Sequence, residues 1–220
     1  IGSMLLKNER VAGLVEAIGG QLGVTPTEIA VATRAGQIAK ADLATQMVVE
    51  MTSLQGVMGA EYALREDYPE DVSLAIFEHW LPRSADDQMP QHIPGTVLGI
   101  TARLDTLAGL FGAGLAPKGS ADPFGLRRAA LGTVQLLIHH KLDVSIRDLL
   151  NIAADAQPID VSEEQRQAVM DFVRGRLEVW LLEQDWPHDV VQAVLAEQAH
   201  NPTRTLTGIA ELREWVSRDD

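Results

Sequence analysis

Hydrophobic positions recur at helical spacing along nearly the whole chain. Leu14, Val15 and Ile18 place an amphipathic helix over about residues 5–18, closed by Gly19 and Gly20. Thr25, Pro26 and Glu28 make a capping box with proline at the first helical position, and the run from Ala30 to Met51 keeps the spacing through Ile38, Leu43, Met47 and Val48. The segment 54–66 predicts a further helix in which Gly56 and Gly59 admit a close neighbour. Pro69 starts the next, which stops before Pro82. After a polar, acidic loop with three prolines, the pattern resumes through Val97, Leu98, Ile100, Leu104, Leu107 and Leu110.

A Gly- and Pro-rich loop follows, and Asp122 with Pro123 reads as an N-cap and first helical position. They open an apolar helix over 124–141 that carries Leu131, Val134, Leu137 and Ile138. Ser145 with Asp148, and Ser162 with Gln165, predict two more capped starts. The second leads into a stripe of Phe172, Val173, Leu177, Trp180 and Leu181. Helices over about 189–199 and from Pro202 to near Val216 complete the chain. No stretch alternates with period two and no hairpin dipeptide sits between β-branched runs, so the expected fold class is all-α.

The polar, proline-containing stretch 154–161 is a soft boundary between a helical domain over 5–153 and a smaller helical bundle over 162–220. Residues 1–4, IGSM, read as an expression scar and are set aside. At 220 residues, 46% hydrophobic and 22% charged, the chain has the composition of an ordinary globular protein rather than a disordered one. No apolar run approaches the ~20 residues needed to span a bilayer, and no secretory signal precedes the first helix. The absence of cysteine excludes disulfides and thiolate metal sites.

A net charge of −13 excludes a chain that coats nucleic acid non-specifically, but the acidity is uneven. Lys and Arg number 2 against 8 acidic residues in 61–92 and 6 against 14 in 151–220, but 4 against 2 in 99–128. The basic stretch therefore carries the candidate chemistry. Lys118, Arg127 and Arg128, with Arg103 as a weaker member, are candidates for holding phosphates through guanidinium forks and free backbone N–H groups. The alternative is that one arginine pairs with Asp105 or Asp122 while the other is solvated.

Other constellations fail on spacing. In GLAPKGS the lysine precedes the glycine and no strand leads in, which is not the order of a nucleotide-binding loop. No two histidines stand at i, i+4, and His188–Asp189 lies at a helix start, where an aspartate suits the helix dipole. No glycine-flanked nucleophile is present, and the four tryptophans fall mostly on helix faces. No catalytic, metal-binding or cofactor-binding residue is assigned.

Four strings, KADLATQMVVEMTSLQGVMGAEYA, AIFEHWLPRSADDQMP, RLDTLAGLFGAG and PKGSADPFGLRRAALG, occur in this order between about Lys40 and Leu137. They resemble the β subunit of the bacterial heterotetrameric glycyl-tRNA synthetase, whose usual wording is KADL, TxMVxEFxxLQGxMGxxYA, AIxEHYxPxxAxDxLP, ALADKLDTLxGxF and PTGSKDPFALRRAALG. The segment DFVRGRLEVWLLEQDWPHDVVQAVLA also looks like the helical part that follows in that subunit. Departures are Trp80 for Tyr, Met51 for Phe, Lys118 for Thr, Ala121 for Lys, and Ala102 for the first Asp of ADKLD.

The resemblance implies an internal piece of that subunit, with further modules before it and an anticodon-binding domain after it. It also implies that the first domain is HD-like. Gln55 and Gly56 stand where a phosphohydrolase would carry its His–Asp dyad, and Ala102 removes the later Asp, so an HD fold without its hydrolytic centre is expected. The implied function is non-catalytic: tRNA positioning and subunit assembly, with glycine and ATP handled by a separate α subunit in a tetramer of two α and two β chains. The implied partners are that α subunit and glycine tRNA, with no membrane, and the expected compartment is the cytoplasm. Competing readings are an HD-type metal phosphohydrolase and a purely structural docking module.

Overall fold

The computed structural model describes residues 1–218, and among them the chain is all-α, with eleven helices and no strand. No described helix is long and apolar enough to cross a membrane. The organising element is α6, Ile93–Gly112, which buries fourteen of its twenty residues. It is apolar nearly all round and so packs on both sides. Val97, Leu98 and Ala102 face a small cluster with Val11 and Val15 of α1 (Met4–Gln21), Ala32 and Ala35 of α2 (Pro26–Ile38), Ala63 of α4 (Val57–Arg65), and Val72 and Ile76 of α5 (Glu70–Glu78). Ile100, Leu104, Leu107 and Phe111 face a larger one. That cluster gathers α7 (Leu126–His139), α8 (Ile146–Asp155), α9 (Glu163–Glu183), α10 (His188–Gln198) and α11 (Pro202–Val216). Each fully buried Leu or Ile contributes about 1.5–3 kcal/mol relative to exposure.

The expected boundary at 154–161 does not divide this core. One contiguous cluster runs from Leu14 through Val161 to Ile209, so the later helices finish the core of the earlier ones. Residues 1–4 also belong to the fold in part, because Ser3 caps α1 by accepting from the Leu6 amide at 3.3 Å. Buried Asp105 of α6 pins α1 from the other side. It takes Lys7 and Arg10 at 2.5 Å each and accepts from the Gln157 amide at 3.0 Å. Burial opposes its ionisation, but the hydrogen bonds and charges of Arg10 and Lys7 prevail and hold the carboxyl below its usual range.

Three local expectations are corrected. The helix expected to continue to Met51 ends at Ile38 and gives way to a 3₁₀ turn at Ala41–Ala44 and the short α3, Gln46–Glu50. Asp42 is turned inward there and accepts from the Gly56 amide at 2.6 Å, a contact a continuous helix would not allow. The helix expected from Phe124 begins at Leu126, after Gly125 in the left-handed region at φ +66°. Asp122 still caps it from farther upstream, accepting from the Leu126 and Arg127 amides at 2.8 and 2.9 Å. Ser145 precedes α8 without a side-chain capping bond, whereas the capping boxes of Thr25–Glu28 and Ser162–Gln165 are both formed.

Candidate functional site

The helical break after Ile38 frees Lys40 to turn toward α5 and α6. There a cavity of about 220 Å³ is lined by Lys40, Gln55, His79, Ala102, Arg103 and Arg128, together with Trp80 and Arg83. None of its lining residues is Asp or Glu. Arg83 is neutralised locally by Asp87 at 2.8 Å. Among the described residues, Lys40, Arg103 and Arg128 have no ion pair. In a chain of net charge −13, this cavity is lined by cations and by no carboxylate.

Small residues make the geometry possible. Gly56, at φ +80°, lies against the Trp80 indole, and a Cβ there would stand 2.3 Å from Cδ1. Gly99 and Gly132 flank the Arg103 guanidinium, where added Cβ atoms would come within 2.9 and 2.7 Å of it. The Arg103 side chain donates to the carbonyls of His79, Gly99, Trp80, Leu81 and Pro82, all at 2.9–3.0 Å, and so ties the end of α5 and the next turn to α6. Burial lowers its pKa to about 10, which leaves it charged.

The Lys40 amine lies 3.6 Å from the Trp80 ring centroid and 3.2 Å from His79 Nε2. Burial first, then the charges of Lys7 and Arg103, lower its pKa to about 7, against the opposing pull of Asp42 and Asp105. His79 is buried with Nδ1 2.6 Å from the Ile76 carbonyl, which can only accept. Nδ1 therefore carries the proton and Nε2 accepts from Lys40. Burial and the Lys40 charge hold this imidazole neutral, with its pKa well below the ordinary value.

The four candidate cations part company in three dimensions. Adjacent residues on a helix diverge by about 100°. Arg127 folds back onto its own loop, donating to the carbonyls of Gly119, Ser120 and Ala121, while Arg128 is exposed and lines the cavity. Lys118 is exposed on the loop. Arg103, expected beside them facing RNA, is turned inward, because Gly99 and Gly132 open a slot lined by carbonyls. Asp105 and Asp122 pair with neither Arg127 nor Arg128, since the first is taken by Lys7 and Arg10 and the second caps α7. Sequence reasoning missed Lys40 altogether. The KADL string contained it, but nothing in its spacing showed that the helix would break just before it.

Gln55 and Ala102 share the cavity with His79, so one of the two positions compared with an HD dyad and the position of its later Asp line the same space. The donor set does not suit a metal, because both His79 nitrogens are engaged and an amide and a methyl stand where further ligands would be. No group of three or more His, Asp or Glu side chains among the described residues is placed to hold one. The His188–Asp189 pair opens α10, with Asp189 in its first turn.

Fold and cavity together define a class: an all-α helical module with a cavity lined by Lys40, Arg103 and Arg128 and by no carboxylate. The chain belongs to the glycyl-tRNA synthetase beta subunit family, whose model matches residues 1–196. It is 40% identical over 203 residues to the glycine–tRNA ligase beta subunit of Tolumonas auensis and 41% over 208 to that of Janthinobacterium sp., covering 92% and 94% of this chain. That of Acaryochloris marina is 39% identical over 217 residues, 97% of the chain. The chain spans only 29–30% of the length of these relatives.

Proposed function

We propose that this chain serves the glycylation of tRNA as part of a glycine–tRNA ligase β subunit, positioning glycine tRNA while a separate α subunit binds glycine and ATP and performs the chemistry in the cytoplasm. Family membership supports the reaction. The observation that carries the RNA contact is the exposure of Arg128 and Lys118: among the described residues, neither makes a side-chain hydrogen bond or ion pair, in an otherwise acidic chain. Two free cations at a loop and helix start suit phosphate oxygens, which position RNA without reading its sequence. Arg127 contributes by holding the loop that presents Lys118.

The test is tRNA affinity of the assembled enzyme across a salt series. Arg128→Glu is expected to weaken binding by roughly tenfold and to lower the slope of log affinity against log salt by about one. Unchanged affinity and slope in both Arg128→Glu and Lys118→Glu would remove the RNA role and leave a structural module.

A further inference from the structure

Lys40, Arg103 and Arg128 come from three separate elements and converge on one cavity that no carboxylate lines. We propose that this cavity is a specific binding site for a phosphomonoester group, held by the Lys40 amine and the Arg128 guanidinium over a floor fixed by Arg103. The site is distinct from the exposed loop cation Lys118, and the inference does not depend on the RNA contact proposed above.

The chemistry follows from charge, donors and size. Lys40 and Arg103 are partly withdrawn from water without an ion-pair partner, which costs free energy that a bound anion would offset. The surrounding charges do not supply that anion. Asp105 is occupied by Lys7 and Arg10, and Asp42 accepts from the Gly56 amide. Arg103 is braced by five carbonyls, and Gly125 lies against the Arg128 guanidinium, where a Cβ would come within 2.8 Å of Nη2. Arg103 is thus held in place, as a preorganised floor requires, and the unpaired Arg128 guanidinium stands at the mouth to engage an anion.

An ammonium beside a guanidinium fork matches a dianion with three terminal oxygens better than a carboxylate with one charge. The cavity volume of about 220 Å³ corresponds to roughly seven waters at ~30 Å³ each. It admits a phosphate group with some hydration but falls below the ~300 Å³ at which pockets for whole drug-sized molecules begin. A terminal phosphate enters such a cavity with one substituent trailing out. An internal phosphodiester would have to bring two.

The probe is inorganic phosphate added to the intact chain at about pH 7, where both the phosphate dianion and the protonated Lys40 amine are populated, followed by ³¹P line broadening and by thermal denaturation against chloride at matched ionic strength. Saturable binding is expected. Lys40→Met and Arg128→Gln should each weaken it by roughly tenfold or more, as loss of one charge-assisted hydrogen bond implies. Lys118→Gln should leave it unchanged. Absence of saturable binding, or retention of it in the Lys40→Met, Arg128→Gln double variant, would overturn the proposal. Displacement of phosphate by 5′-phosphorylated tRNA but not by the dephosphorylated RNA would support the site and assign it to an RNA end; displacement by neither would support it as a site for a free phosphate compound. The two readings fail separately through the residues they do not share: Lys40→Met tests the phosphate site and Lys118→Glu the RNA contact, while Arg128 belongs to both.

Discussion

Replacing Lys40 by methionine is expected to stabilise the protein while removing its anion affinity. The amine faces the Trp80 ring, neutral His79 and the Arg103 guanidinium, with the Lys7 charge nearby and Asp42 and Asp105 as the only opposing charges acting on it. Its pKa falls from 10.5 to about 7 on folding. A base whose folded pKa lies below its unfolded value binds fewer protons folded than unfolded between those two pH values. Stability is therefore greatest above 10.5 and is lost as pH falls toward 7. The interval from 10.5 to about 7 corresponds to ~4–5 kcal/mol. Attraction to the indole face and residual solvent around a side chain that is not fully buried reduce this to about 2 kcal/mol. Methionine keeps the length and apolar stem of lysine and removes the charge. Urea denaturation at pH 7, 8, 9 and 10 measures the difference. The variant should be more stable by about 2 kcal/mol at pH 7, with an advantage that shrinks steadily toward pH 10. A variant no more stable than the parent at pH 7, or a gap independent of pH, would refute the reasoning.

Two further outcomes follow from the same geometry. Gly56→Ala is expected to cost about 2–4 kcal/mol in urea denaturation, because φ +80° strains any L side chain and its Cβ would stand 2.3 Å from Trp80 Cδ1; a loss under ~1 kcal/mol would show that the indole is free to move. Asp105→Asn should cost roughly 3 kcal/mol at pH 7, since it leaves Lys7 and Arg10 without their buried partner. The Asp105 carboxyl is held below its usual 3.8, so its contribution is present above that pH and fades as pH falls through the lowered value. The variant's deficit should accordingly narrow in acid, and a deficit constant down to pH 2 would contradict the ion-pair account.

Much of the helical framework was legible because period and caps are local. Thr25–Glu28, Ser162–Gln165 and the proline starts at Pro26 and Pro202 all act within one turn, and the helices begin where they indicate. Where a distant partner intervenes, local reading fails. Asp42 binds the Gly56 amide fourteen residues away and breaks a run whose apolar spacing continues unbroken. The boundary at 154–161 is polar and contains a proline, yet Val161 and Gln157 are buried in contact with the first half of the chain.

By itself the sequence determined the helical class, the family and the basic stretch, because periodicity, motif wording and charge counts need no third dimension. It could not rank the four cations of that stretch. Arg127 and Arg128 are neighbours in sequence and diverge on the helix, one to clamp its loop and the other to line a cavity. Arg103 turns inward because two glycines, thirty-three residues apart, leave room on either side of it. Lys40 joins Arg128 only because a helix ends early and α5 carries His79 and Trp80 to meet it. Which charges lack counter-charges is set by packing between distant elements, and that packing was decided by the tertiary structure alone.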